Sequence, residues 1–429
     1  MNENMRMRLG FSPPANKNKA YFRIYLPLVA PKVYPPGCGN GRTSSKRCCS
    51  GYVPAAACSG IVLACLLAFT LQIFFFSPIS PDVLELPLAV TSSDLFPTNS
   101  YLQSVIKLGE GLLKGPEDVC VDRNGVLYTA SRDGWIKRLH RNGTWENWKF
   151  IDSHTLLGLT ITTTKDHQND DLIACDTEKG LLKVSEEAGA KVLASHVNGS
   201  KISFADDVIA ASDGNLYFSV ASTKFGPEDW YLDLLEAKPH GQLLKYDPSL
   251  NETSILLDGL GFANGVALSR DEDYLVVCET WKFRCIKYWL KGKSKGETEI
   301  FIENLPGGPD NINLAPDGSF WVALVQLSSR GLEFVHTSKA TKHLIASFPK
   351  MIKVFIPIDK KATVVNVAPN GNIIRKFDDP TGNVMSLVTS ALEFDDNLYL
   401  GSLNSNFIGK LPLKNYPNPA VQQHGTHKD

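Results

Sequence analysis

Residues 305–324, LPGGPDNINLAPDGSFWVAL, hold the pattern that decides the fold. A loop carrying Asp310 and Asn311 leads into a short apolar strand, an Asp317-Gly318 turn and a second strand ending in Phe320-Trp321-Val322-Ala323. An Asp-Gly pair between two apolar runs reads as a β-hairpin, because the turn asks for a positive φ that Gly adopts without steric cost. The turn-then-strand unit recurs at 122–128, 170–173, 213–217, 271–275 and 395–399. Six such units predict an all-β chain folded as a six-bladed β-propeller over residues 100–415, since radial closure leaves no long exposed sheet edge. The wide interval between Trp321 and Tyr399, with a further turn at Asn370-Gly371, predicts one elaborated blade.

Ahead of several of these turns sits a second repeated feature: GPEDV at 115–119, FADDV at 204–208, FANGV at 262–266 and GPDNI at 308–312. Equivalent positions of successive blades converge on a propeller's axis. Glu117, Asp206 or Asp207, Asn264, Asp310 and Asn311 are therefore expected to face one another across a central channel. Converging carboxylates repel unless protons or a cation compensate, and a set of Asp, Glu and Asn oxygens suits a hard cation such as Ca²⁺. Taken singly, each residue can equally cap a turn through an Asx hydrogen bond; recurrence in four blades favours the metal. One insertion, 222–246, breaks the strand pattern: 229–237 is helix-like, with Trp230, Leu234 and Ala237 on one face, and is expected to cover one end of the channel and form an apolar pocket wall.

The N-terminus is of another character. Residues 1–52 mix Pro, Gly and Asn with nine basic residues against Glu3 alone, and read as a disordered cytosolic tail. Residues 53–76 carry no charge and are long enough for a single transmembrane signal anchor; no small-x-small cleavage signal follows. The basic flank keeps the tail cytosolic and sends the rest to a lumenal or extracellular side, after a linker at 77–99 and with a short tail at 416–429. The formal net charge of -1 over 429 residues thus hides an acidic body, which argues against a nucleic-acid partner. Three sequons, at Asn142, Asn198 and Asn251, lie on the predicted lumenal side and agree with this topology. Cys38, Cys48, Cys49, Cys58 and Cys65 fall in the tail or the span, where Cys48 and Cys49 are candidates for acylation or plain thiols. Among Cys120, Cys175, Cys278 and Cys285, the last two flank a predicted turn and can bridge it, although the sequence leaves the pairing open.

The runs GPEDV at 115, DWYLDLLEAKPHGQLLKYDP at 229, FANGVALS at 262, CETWKFRCIKYWLKG at 278 and LPGGPDNI at 305 resemble the strictosidine synthase-like family, in particular plant members similar to adipocyte plasma membrane-associated protein. The resemblance spans roughly residues 100–412. It implies a secretory-pathway propeller related to the paraoxonases and gluconolactonases, which carry calcium on the axis. The matching ligand positions are Glu117, Asn264, Asp310 and Asn311, with Asp206 where an asparagine would stand. Catalytic positions carry over badly. The glutamate of strictosidine synthase falls at Thr389, and the histidine of the paraoxonase type falls at Leu157, with His154 the nearest substitute.

These readings give a membrane-anchored, calcium-dependent hydrolase of esters or lactones acting on a small molecule, in the endoplasmic reticulum, vacuole or plasma membrane. A non-catalytic ligand- or protein-binding propeller is the alternative, and Pictet–Spengler synthase activity is the least favoured.

Overall fold

A computed structural model describes residues 55–84, 96–162, 170–326, 329–351 and 360–416. The cytosolic tail expected at 1–52, with Cys38, Cys48 and Cys49, lies outside these residues, as does most of the C-terminal tail. The chain divides into two compact units, 1–60 and 61–429.

Six four-stranded antiparallel sheets form the blades. In chain order their innermost strands are Val119–Val121, Leu156–Thr162, Ala205–Ala210, Ala263–Leu268, Gly308–Leu314 and Val388–Phe394. The sixth blade is completed by the first strand of the propeller, Ile106–Leu108, which pairs with Ile408–Pro412 and so ties the two ends of the ring together. Apolar side chains on both faces of each sheet pack against the neighbouring blades, as in the cluster of Trp321, Ala323, Val364, Val388 and Leu400 between blades 5 and 6. The Asp213-Gly214 and Asp317-Gly318 turns each close the hairpin between the first and second strand of their blade, with Gly318 at φ 90° and Gly214 at φ 91°. Their role is architectural.

Within a blade the second strand returns to the end at which the first began, so every connection from second to third strand emerges at that end. Two of these connections are enlarged. In blade 3 the insertion contains the helix expected at 229–237, here Trp230–Glu236; Ala237 caps it with φ 55° instead of extending its apolar face. In blade 5 the elaboration holds two helices, Ser329–His336 and Lys339–Ser347, the second packed on the helix of blade 3. With α1 at Ala55–Phe75, these are numbered α2, α3 and α4. Helices α2 to α4 form a cap at one end of the ring. The corresponding turn of blade 4 is bridged by the disulfide Cys278–Cys285, directly opposed in the ladder; Cys120 and Cys175 are buried free thiols.

Helix α1 has 21 residues and no charge. Among the described residues no helix is long and apolar enough to cross a membrane. The side chains described in α1 begin at Ser59, and seventeen residues rise only about 26 Å, short of a hydrocarbon core of about 30 Å. The three sequon asparagines all stand at exposed turns.

Candidate metal and ligand site

The axial residues owe their direction to an irregularity repeated around the ring. The register between first and second strand slips at Ala205/Val208, Ala263/Val266 and Pro309/Ile312, and likewise at Leu156/Leu159 and Val388/Ser390. A β-bulge frees residues from the ladder and re-aims their side chains. The freed pairs are Asp206-Asp207, Asn264-Gly265, Asp310-Asn311 and Leu157-Gly158, with Thr389 alone in blade 6. Blade 1 supplies Glu117-Asp118 just before its short inner strand.

The first residue of each pair faces the channel. Glu117, Asp206, Asn264 and Asp310 line the floor of a cleft of about 320 Å³ at the capped end of the ring. Asn311 lies just beneath, its amide donating to Glu117 Oε1 at 2.9 Å. That bond aims Asn311 Oδ1 away from its partner. The second residues form a deeper layer that joins the blades. Asp118 accepts from the Leu159 N–H at 2.7 Å and from Ser390 Oγ at 2.5 Å, and Asp207 accepts from Val266 N–H at 2.7 Å. The sequence left open which of Asp206 and Asp207 faces the axis; the structure assigns it to Asp206.

Three oxygens at and just beneath the floor are buried without a hydrogen-bond partner: Glu117 Oε2, Asn264 Oδ1 and, from below, Asn311 Oδ1. A buried polar atom left unpaired is costly, and all three are acceptors converging with two further carboxylates. Burial raises the pKa of Glu117 well above the usual carboxylate range, and Asp118, Asp310 and Asp206 push it further up. Burial and Asp310 do the same to Asp206, and burial lifts Asp310 to about 7 against the hydrogen bond from Asn264. In the deeper layer burial raises Asp118 to about 6 and raises Asp207 strongly. The upper layer therefore asks for protons or a cation. Among the described residues no trio of His, Cys, Asp and Glu alone is arranged to chelate; the donor set depends on amide oxygens, which suits a hard ion over a soft one.

The walls are of opposite character. Phe204 and Phe262 stand at the same place in blades 3 and 4, each at the entry to the inner strand and each at positive φ, 59° and 64°. That conformation is unfavourable for a bulky residue and is held only where surrounding contacts enforce it. It turns both rings into the cleft, 5.3 Å apart between centroids, with Trp281 4.3 Å from Phe262. Trp230 of α2 completes this aromatic wall. Buried Asp233 holds the helix in place, accepting from Ser222 Oγ at 2.6 Å and from Trp281 Nε1 at 2.9 Å. The expectation that the insertion covers one end of the channel is met.

The catalytic candidates fare otherwise. Leu157 lines the cleft as plain apolar wall. Thr389 is buried and donates its hydroxyl to the Glu117 carbonyl at 2.6 Å, so it supports the backbone of a floor residue. His154 is bonded through Nδ1 to the Arg132 carbonyl at 2.9 Å and lies outside the cleft lining. The apolar wall expected from the Trp230 helix is present, but Phe204, Phe262 and Trp281 were missed by sequence reasoning because the wall is gathered from four separate connections, although the recurrence of Phe two residues before Asp206 and Asn264 was a signal.

Close approach of the blades is part of the site. A Cβ on Gly265 would lie 2.5 Å from both the Asp310 carbonyl oxygen and the Ile312 nitrogen. Gly158 meets Asp207, and Gly401 the Glu117 carbonyl, in the same way. Gly265→Ala is therefore expected to destabilise the protein by about 1–3 kcal/mol and to displace Asp310 and Asn311. Gly226→Ala, with open space around it, serves as the neutral control in thermal melts. Equal behaviour of the two variants would refute this packing.

Fold and site together define a six-bladed propeller with an acidic, oxygen-rich axial centre under an aromatic-walled cleft. Two family models match the chain: Strictosidine synthase over residues 206–293 and Strictosidine synthase-like, N-terminal over 94–139. Protein STRICTOSIDINE SYNTHASE-LIKE 4 of Arabidopsis thaliana is 33% identical over 361 residues, 83% of this chain and 95% of the relative. Adipocyte plasma membrane-associated protein of Mus musculus is 32% identical over 360 residues, 79% of this chain and 85% of the relative. The chain belongs to the strictosidine synthase-like family. Among solved structures, a gluconolactonase from Xanthomonas campestris superposes with a TM-score of 0.51 at 13% identity, over 78% of this chain and 96% of the other. A putative gluconolactonase gives 0.50 at 16% identity, over 75% and 96%. At such identities the likeness is one of fold.

Proposed function

We propose that this protein is a membrane-anchored propeller whose axial centre binds Ca²⁺ and whose cleft hydrolyses an ester or lactone. The observation that carries the reading is the convergence of three unpaired buried oxygens, on Glu117, Asn264 and Asn311, with the carboxylates of Asp206 and Asp310 at the floor of an apolar cleft. A calcium ion held there would polarise a carbonyl and stabilise developing negative charge. The chain's own residues do the rest. Phe204, Phe262, Trp230 and Trp281 hold the apolar part of a substrate and exclude water from around it, while Thr155, Thr177 and Thr280 offer hydroxyls at the walls. Gluconolactonases share the fold, which is compatible with this chemistry.

A full-length α1 of 21 residues rises about 32 Å, enough for one bilayer crossing. With the basic residues before it, the exposed sequons and the disulfide, this supports an anchor in the secretory pathway with a glycosylated, lumenal or extracellular propeller. The relative named for the plasma membrane of adipocytes agrees with a membrane association.

A second reading, a binding propeller without turnover, is favoured by one specific observation: His154 is turned away and both Leu157 and Thr389 lack a base. Pictet–Spengler chemistry is disfavoured by the same Thr389, which has no proton to exchange near neutral pH. The test is to assay the purified full-length chain in detergent or nanodiscs against a panel of esters and lactones, with and without chelator. Calcium-dependent turnover supports the first reading; calcium binding with turnover at background throughout supports the second, and absence of cation binding defeats both.

A further inference from the structure

Helix α1 and the cap are joined over very little chain. α1 ends at Phe75, and four residues later Ile79 is buried in the apolar cluster that also holds Leu235 of α2, Leu332 of α3 and Ile345 of α4. The backbone beyond it is pinned by polar contacts. Ser80 donates its N–H to Glu236 Oε1 at 2.8 Å, Asp82 donates its own to the Glu236 carbonyl at 2.9 Å, and the Lys342 ammonium donates to the Asp82 carbonyl. Glu236 is itself buried and held by Lys224 and His240. Ring contacts add to the junction: Phe69 lies 6.0 Å from Phe348, and Phe74 lies 5.0 Å from the His343 imidazole.

Large apolar side chains nevertheless stay exposed on this side of the molecule. Phe75 is 77% exposed and Phe76 82%, and on the cap Phe334 is 57% and Phe348 41% exposed. Clustered exposed aromatics mark a contact surface. Geometry chooses the partner. Four residues of fully extended chain reach no more than about 14 Å, so a membrane-inserted α1 holds Ile79, and the cap around it, at the depth of the headgroups, a layer about 5–8 Å thick on each side of the core.

We propose that the α3–α4 side of the cap is a second, interfacial membrane contact. Phe334 and Phe348 sit at the boundary between headgroups and acyl chains, and Lys350, exposed beside them, faces the lipid phosphates. The proposal rests on the reading of α1 as an anchor. Since α2 of the same cap walls the cleft, the cleft mouth then opens beside the bilayer, where amphiphilic molecules concentrate.

The test uses the full-length chain in nanodiscs containing lipids brominated near the headgroup end of the acyl chain. Single substitutions Phe334→Trp and Phe348→Trp report on the cap, Phe69→Trp on α1, and Leu250→Trp on an exposed turn at the other end of blade 3. The added fluorescence at 334 and 348 is expected to be quenched at least about twofold more than that at 250, as for an apolar face buried in the interface. If 69 is quenched while 334 and 348 behave like 250, the docking surface is refuted and the anchor stands. If 69 is not quenched either, the anchor reading fails and the proposal with it. Neither outcome depends on any hydrolytic activity.

Discussion

Near pH 8 a calcium chelator is expected to lower the melting temperature of this protein by about 5 °C, and near pH 5 to change it by a degree or two at most. The asymmetry follows from the floor of the cleft. Without a cation the buried carboxylates hold their protons more tightly in the folded chain than in the unfolded one, with Asp310 raised to about 7 and Asp118 to about 6, chiefly by burial. A carboxyl group with a raised folded pKa binds more protons in the native state. Its contribution is therefore complete below the ordinary value near 4 and is lost as pH rises through the folded value. For one carboxylate moved to about 7 the loss is roughly 4 kcal/mol once both states are ionised. A calcium ion bound there would reverse the trend by taking the place of the protons, and a free concentration of 100–1,000 times Kd would return about 3–4 kcal/mol. Melts recorded across pH 4.5–8.5, with and without chelator, decide the matter. A chelator effect of the same size at both ends of that range, or none at pH 8, would remove the cation from the axis.

Much of this was readable before any coordinates, and the physical reasons differ from part to part. Asp-Gly turns such as Asp317-Gly318 are local chemistry: the backbone angle the turn needs singles out Gly, so blade number could be counted along the chain. The floor residues were legible because symmetry does the folding. When FADDV, FANGV and GPDNI recur in successive blades, whatever position one of them takes is taken by all. The bulge was not legible, and it is what separates Asp206, which faces the cleft, from Asp207, which joins blades 3 and 4. A register slip depends on two strands at once and leaves no mark in either alone. The partners of Trp230 in the aromatic wall escaped for a related reason, since Phe262 and Trp281 meet it only after the connections of neighbouring blades fold over the same end. Leu157 and Thr389 illustrate the reverse. They occupy the bulge positions of blades 2 and 6, the two blades that bring no carboxylate or carboxamide to the floor, so Glu117 of blade 1 stands between two non-contributing blades and faces the run of blades 3, 4 and 5 across the axis.

Asp310→Asn is expected to move stability and cation binding in opposite directions, which an ordinary packing defect cannot do. The substitution keeps shape and removes one charge that adds to burial in raising Glu117 and Asp206. In chelator at neutral pH the variant should therefore melt several degrees above the native protein, because one buried like-charge partner has gone. With calcium the order inverts. Ligand charge sets affinity for a hard cation, and the lost carboxylate is one of three facing the cleft, so Kd should rise on the order of 100-fold or more and any ester or lactone turnover should drop to background. Calorimetric titration with calcium, paired with melts in chelator, gives both signs from one preparation. A merely structural Asp310, tying strand to strand as Asp207 does, would lower the melting temperature in chelator as well, because Asn264 would lose the carboxylate it donates to. Lower stability in both conditions with calcium affinity unchanged would therefore place the function of this floor in holding the blades together, and would leave the cleft without its metal.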